Sequence, residues 1–446
     1  MNRAKKRLRK RHISTFQFTI LGFAGVILGG CFLLMLPVSS KSGSFTSFWD
    51  ALFTSTSAVC VTGLVVQNTA TYWSGFGQLI ILLLIMAGGM GVITIRAGLL
   101  ILAGRKPDLV QRSAMQDNYA ALKLTGIVNL MSFILKVSLG VVFLGAVCFA
   151  FEFVPRFGFF KGLWFSAFHS VSAFCNAGFD LMGSEIPYSS LTGFSGNVIV
   201  NITVMLLIII GGIGFVTWYD IKEYGFNFRK YGMQTKVILC TSAALIFFPA
   251  VFFFAYEYGG MGQEAFLCGL FQSVTARTAG FNTTDLTLFS EGSIMIMIVL
   301  MLIGGSPGST AGGMKTTTIS VLVKSAFSVF KRKDSTSFFG RRISDDIVKN
   351  ASATFFMYIT LFLTGAIIIS CVEGLPLMSC LFETASAIGT VGLSLGLTPE
   401  LGFVSRLILI FLMFLGRVGG LTLVYAAVST KKRNLAEYPK GKITVG

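Results

Sequence analysis

Charge is what this chain has least of. Only 12% of its 446 residues are Asp, Glu, Lys or Arg, against 54% hydrophobic. That balance excludes a soluble globular chain and indicates a multi-spanning membrane protein. Two histidines are too few for a metal site. The eight cysteines are scattered through apolar segments without paired spacing, which excludes a disulfide framework and a zinc site. There is no Walker A run, no GxGxxG after a strand and no stretch that reads as a soluble domain. An ATP-driven pump is set aside on those grounds, and no residue pattern suggests an enzyme.

What the chain has in their place is long apolar runs. A helix crossing a bilayer needs about 20 apolar residues. Segments 16–36, 78–102, 127–153, 198–218, 237–258, 353–372 and 401–428 meet this, and an eighth, 294–330, is broken in its middle. Residues 1–12 carry seven Lys/Arg, but the run behind them is too long for a signal-peptide core and no small-residue cleavage site follows, so the first helix is expected to stay. With the N-terminus in the cytoplasm, the basic residues fall in inner loops 103–124, 220–236, 331–350 and 429–446. The net charge of +17 then follows the positive-inside rule and not nucleic acid binding. Both termini are expected in the cytoplasm of a plasma-membrane protein in contact with lipid. The acids fall outside: Asp50, Glu152, Asp180, Glu257, Asp285, Glu373 and Glu400 among them. An acidic outer mouth would concentrate cations.

One four-residue pattern ending in glycine recurs four times: Cys60-Val61-Thr62-Gly63, Cys175-Asn176-Ala177-Gly178, Arg277-Thr278-Ala279-Gly280 and Gly389-Thr390-Val391-Gly392. Each follows a short segment rich in small and hydroxyl residues, and each lies between two long apolar segments. The repeat predicts an all-α membrane protein of four units, each a first helix (M1), a re-entrant pore loop and a second helix (M2), pseudo-four-fold around one central pore. The expected repeats are 13–107, 123–225, 234–332 and 345–430, with tails at 1–12 and 431–446. Three copies align without gaps on Ser57, Ser172 and Ser386, six residues before the glycine; the third, on Thr275, is one residue short. A second glycine cluster recurs in each M2 (Gly88-Gly89, Gly211-Gly212, Gly304-Gly305 and Gly416 with Gly419), where missing side chains would leave room for a path below the pore loops.

The pore segments are too short to span and fit half-helices whose negative ends favour a central cation. Four loops can encircle an ion with backbone carbonyls and replace the water that a cation of potassium's size must shed. Glycine ends each run because the backbone needs dihedrals that a Cβ resists. Single-glycine filters in four such repeats resemble the Trk/Ktr/HKT potassium transporters, and the short N-terminus without extra helices is closest to the bacterial Ktr membrane subunit. Thr278-Ala279-Gly280-Phe281, Gly392-Leu393 and Gly416-Arg417 with Gly419 carry the likeness, which spans roughly residues 13–430. The resemblance implies potassium uptake, since the plant relatives that move sodium have serine where this chain has Gly63. It also implies a homodimer and a cytoplasmic RCK-type ring that binds ATP or ADP, so that nucleotide enters only through the partner. A sodium-coupled or sodium-permeable carrier of the same fold is the alternative, and sodium as an activator is left open.

Two features go beyond a pore. Residues 304–318, GGSPGSTAGGMKTTT, interrupt the third M2 with residues that do not hold a helix. Gly304, Gly305, Ser306, Pro307, Gly308, Ser309, Thr310, Ala311, Gly312, Gly313 and Lys315 are expected to form a gate beneath the filter, the family's intramembrane loop. Arg417 lies inside the fourth M2, where a charge is costly and signals function; the resemblance makes it the pore arginine. Arg277, within the third filter run, is expected to point behind the filter towards Glu264 or Glu383.

Overall fold

In the computed structural model, residues 15–91, 127–184, 186–259 and 262–420 are described. The expectations for 1–14, 92–126 and 421–446, which take in both tails and inner loop 103–124, lie outside them. The chain is helical and follows one plan four times. The first set is α1 (Thr15–Met35), α2 (Phe48–Cys60) and α3 (Gly75–Gly89). The second is α4 (Ile127–Phe157), α5 (Phe159–Phe174), α6 (Val198–Gly212) and α7 (Phe215–Tyr224). The third is α8 (Met233–Tyr256), α9 (Gln263–Thr275), α10 (Glu291–Leu302) and α11 (Thr316–Phe330). The fourth is α12 (Asp345–Glu373), α13 (Leu377–Gly389) and α14 (Phe403–Val418). A two-stranded hairpin, Ser337–Phe338 against Arg341–Arg342, links the third set to the fourth.

The first helix of each set is long and apolar enough to cross a membrane. The second, 13 to 16 residues long, is not. These pore helices carry hydroxyls at membrane depth, and one serine in each of the first three reaches back to M1. Ser55 donates to Ile27 O at 2.7 Å, Ser170 to Val142 O at 2.6 Å and Ser273 to Ile246 O at 2.7 Å, each a carbonyl of the first helix of its own set. Buried polar groups so paired avoid the desolvation penalty of hydrocarbon and fix the pore helix against its M1.

The M2 helices depart from expectation. Only the third was expected to break; all four end at the glycine cluster. Gly91, Gly214 and Gly419 have φ of 83°, 93° and 87°, a left-handed backbone that stops α3, α6 and α14. In the second set the chain turns by 94° between α6 and α7. The clusters are open only in part: Gly89 and Gly419 border a cavity, while other glycines pack closely. A Cβ on Gly88 would stand 1.9 Å from Val59 O, on Gly211 2.1 Å from Phe174 O and on Gly416 2.2 Å from Ile388 O. These glycines let the first, second and fourth M2 backbones press on the last turn of their own pore helices; in the third, Gly304 instead meets Gly312 O of the loop.

The outer acids are spent largely on helix ends. Asn197 Nδ2 donates to Glu152 at 2.8 Å, Ser290 donates to Glu257, and Gly402 N–H donates to Glu373 at 2.8 Å. In each case a glutamate near the end of M1 holds the residue that opens M2, where a negative charge meets the positive end of the helix dipole. Only some of the acids counted in the sequence are therefore left to face an ion.

Candidate ion-selectivity filter

Each pore helix ends in a turn that turns its N–H groups inward. Val61 N–H donates to Ala58 O at 3.2 Å and Thr62 N–H to Ser57 O at 2.8 Å. The second and fourth copies repeat it: Asn176 to Ala173 and Ala177 to Ser172, Thr390 to Ala387 and Val391 to Ser386. This is the Schellman helix ending, whose left-handed position is usually glycine. Here it is held by Val61, Asn176 and Thr390 at φ of 57°, 59° and 53°. Thr278 takes the same place in the third copy at φ 70°, with Ala279 N–H on Thr275 O at 3.0 Å, the tighter turn of a copy one residue shorter. β-Branched residues are rarely left-handed, and strain of this kind gathers at functional sites. Two positions on, Gly63, Gly178, Gly280 and Gly392 are again at positive φ, between 67° and 93°. A left-handed residue reverses the peptide plane beside it. Two per run bring to one side carbonyls that an extended chain would alternate, while the N–H groups stay bonded to the helix behind.

The four runs meet. A Cβ on Gly63 would stand 2.4 Å from Ala177 O and 3.2 Å from the Gly178 Cα. One on Gly178 would stand 2.8 Å from Ala279 O, on Gly280 2.2 Å from Val391 O, and on Gly392 2.1 Å from Thr62 O. The contacts run first to second, second to third, third to fourth and fourth back to first: a closed ring in sequence order, with no side chain at its inner edge. Hydroxyls stiffen it from behind. Ser57 and Ser386 accept from Gly63 and Gly392 N–H at 3.1 and 3.0 Å, and Ser172 and Thr275 donate to Phe179 O and Phe281 O at 2.7 and 2.6 Å.

Arg277 points behind the filter, as expected, but meets neither acid. Its Nη2 donates to Ser242 on α8 at 3.2 Å. Glu264 takes the Ser195 hydroxyl, and Glu383 those of Ser394 and Thr398. Above the ring opens a vestibule of about 380 Å³, lined by the four glycines and by Asp180, Asp285 and Glu400. Asp180 lies in the outer loop just past Gly178; burial pushes its carboxyl up to about 6, against the pull of hydrogen bonds from Met182 and Gly183 N–H.

Beneath the ring, residues 303–315 of the third repeat form a loop bonded to the second and fourth repeats. Thr310 N–H donates to Gly211 O at 3.2 Å, Ser306 N–H to Gly212 O at 3.0 Å and Gly313 N–H to Gly416 O at 3.1 Å, so the loop takes up carbonyls left open where α6 and α14 stop. It reaches the filter itself. The Thr310 hydroxyl lies 3.1 Å from Phe174 O and 3.2 Å from Asn176 Oδ1, and a Cβ on Gly312 would stand 2.1 Å from Thr390 Oγ1. Arg417, from α14, donates to Thr310 O in the loop and to Gly88 O and Gly89 O at the end of α3. Lys315 Nζ stays within the loop, on Ala311 O at 2.8 Å. Gly89, Gly308, Ala311, Lys315 and Arg417 line a cavity of about 140 Å³. Sequence reasoning missed the left-handed residues before the glycines, and it placed Thr310 in the gate without its contact to the second filter run; only Asn176, a residue tolerant of that backbone, carried a signal.

The TrkH family of cation transport proteins matches this chain over residues 2–236 and 233–437. The potassium/sodium uptake protein NtpJ of Enterococcus hirae is 40% identical, with 99% of each chain covered. The Ktr system potassium uptake protein B of Bacillus subtilis is 35% identical over 96% of each. Among solved structures, the potassium transporter TrkH of Vibrio parahaemolyticus superimposes with a TM-score of 0.73 at 21% identity, covering 96% of this chain and 87% of that one.

Proposed function

The chain belongs to the TrkH family of cation transport proteins, and from that premise we propose that it takes up potassium through the ring of four glycine-ended runs. The observation that carries the reading is the closure of that ring, Gly63 to Gly178 to Gly280 to Gly392 and back to Gly63. A potassium ion entering the vestibule exchanges its water for the carbonyls of Cys60–Gly63 and their counterparts at 175–178, 277–280 and 389–392, at little reorganisation cost. Residues 304–313 with Lys315 and Arg417 form the gate. The loop blocks the path directly under the ring, and the Arg417 guanidinium, with Lys315 beside it, holds back cations until the loop moves. The division into repeats at 13–107, 123–225, 234–332 and 345–430 belongs to the same reading. So do a plasma-membrane location with both termini cytoplasmic, a homodimer in which each protomer carries its own pore, and a cytoplasmic RCK-type ring that reads ATP or ADP and moves the loop.

A second reading keeps the fold and admits sodium, as coupling ion, activator or permeant. What favours it is the likeness to the Enterococcus hirae relative, a potassium/sodium uptake protein. Purified protein in proteoliposomes distinguishes the two. Potassium influx driven by its own gradient, unchanged by an opposing or absent sodium gradient, is the expected result. Influx that needs sodium, or equal sodium and potassium influx, would favour the second reading.

A further inference from the structure

Nine residues before each filter glycine, the pore helix carries a polar side chain level with the loop that leaves the filter. The positions are Thr54, His169, Gln272 and Glu383, the spacing falling to eight in the third repeat, where one residue is missing. All four are buried, at 1% exposure or less. A polar group at membrane depth is costly without partners, and three of the four find theirs in the same place. His169 donates from Nδ1 to Phe165 O at 2.7 Å, which leaves Nε2 to accept the Leu181 N–H at 3.3 Å, three residues past Gly178. Gln272 Nε2 donates to Asn282 Oδ1 at 3.2 Å and to Thr284 Oγ1 at 2.9 Å, two and four residues past Gly280. Glu383 accepts the Ser394 hydroxyl on one oxygen and the Thr398 hydroxyl on the other at 2.7 Å. Both carboxylate oxygens are thus used as acceptors, and an amide has only one oxygen to offer. In the first repeat the Thr54 hydroxyl has no hydrogen-bond partner. The loop there is reached from the outer end of the pore helix, where Asp50 accepts from Gln67 Nε2 at 3.3 Å.

We propose that His169, Gln272 and Glu383 are positioning residues of the filter, which pin the outer end of three filter runs from one level of their pore helices, while the first is held from other positions, by Asp50 on Gln67 and by the Tyr188 hydroxyl on Val66 O at 3.1 Å. The proposal rests on the reading of the glycine ring as a potassium filter. Each run is fixed at its inner end by the helix ending already described. A run fixed at one end can close on a smaller ion; a run fixed at both resists, and resistance to closing is what separates potassium from sodium in a carbonyl cage. Glu383, bonded on both carboxylate oxygens, is the strongest brace.

The test is the potassium-to-sodium uptake ratio of purified protein in proteoliposomes. Glu383→Gln keeps the volume and leaves one acceptor oxygen where the Ser394 and Thr398 hydroxyls now use two. It should lower the ratio about tenfold, the order of one lost hydrogen bond to a charged group, by raising sodium uptake. Thr54→Val should leave the ratio where it is. The double substitution Ser394→Ala with Thr398→Val, which strips the same bonds from the loop side, should move the ratio in the same direction and serves where Glu383→Gln does not fold. A selective wild type whose ratio is unmoved in these variants, or whose potassium and sodium uptake fall together, would overturn the proposal alone. A wild type without preference would overturn the filter reading and this proposal with it.

Discussion

At the scale of single residues, Gly63 was legible in the sequence because the glycine ending recurs four times, and the structure gives the reason: a left-handed position with a carbonyl 2.4 Å from where Cβ would sit. Gly63→Ser adds that Cβ, pushes Ala177 O out of the ring and brings a hydroxyl to the pore. The expected outcome is a lower preference for potassium over sodium, read as relative uptake in a potassium-requiring strain. Arg417 was legible as a charge in an apolar helix, but not its partners. Those are carbonyls of the first and third repeats, some hundred and more than three hundred residues away in the chain. A unit charge roughly 8 Å from an ion costs ~2 kcal/mol at an effective dielectric of about 20, a rate factor on the order of thirty. Arg417→Gln removes that repulsion and frees the loop, so maximal potassium uptake should rise towards that factor, with Arg417→Lys intermediate. Equal maximal rates for wild type and Arg417→Gln would contradict the placement of the charge beside the path. Asp180 gives a pH dependence. Its carboxyl, raised to about 6, carries its charge above that value and loses it as pH falls through it. Apparent potassium affinity should therefore weaken between about pH 7.5 and about pH 5.5, and Asp180→Asn should flatten the profile. A profile equally steep in Asp180→Asn would assign the effect to another group.

At the scale of elements, composition told more about where helices stop than about why. The run 304–318 announced a break through its glycines, proline and hydroxyls. The breaks in α3, α6 and α14 were hidden because one left-handed glycine in an otherwise apolar helix looks the same as a packing glycine; here neighbouring glycines in one cluster do both. Left-handed Val61 and Thr390 could not be foreseen, since local preference argues against them and only the closed ring holds them there. Deleting residues 305–313 should raise potassium flux and make it less dependent on a regulatory partner. The deletion also uncovers Gly211 O, Gly212 O and Gly416 O, which the loop now satisfies. At about 1 kcal/mol or more for each carbonyl without a partner, water entering the enlarged cavity is what keeps the protein folded. The measurements are flux per folded protein and thermal unfolding in detergent. Flux abolished in a protein that still folds would make the loop structural.

At the scale of the whole molecule, the four-fold plan was readable from spacing alone, because each unit repeats the same problem of turning a short helix inside a membrane. How the units join was not, because ring contacts link residues with no local relation. One join is an ion pair between Arg406 on α14 and Asp50 on α2, at 3.0 Å, partly open to the outside. Arg406 also donates to Leu401 O and Pro399 O, at 2.7 and 3.0 Å. Arg406→Ala should therefore destabilise more than Asp50→Ala, with a coupling of ~0.5–1 kcal/mol between them in a double-mutant cycle of unfolding midpoints. Zero coupling would mean the pair contributes nothing to holding the first unit against the last. That pair spans 356 positions of sequence. At a synthesis rate of ~5–20 residues per second, the first unit waits roughly 20–70 seconds for its far neighbour. During that time its carbonyls have a companion on one side and none on the other. Until the fourth unit is made, both contacts that it brings, Gly280 on Val391 O and Gly392 on Thr62 O, are missing, and the three earlier runs form an open arc and not a ring.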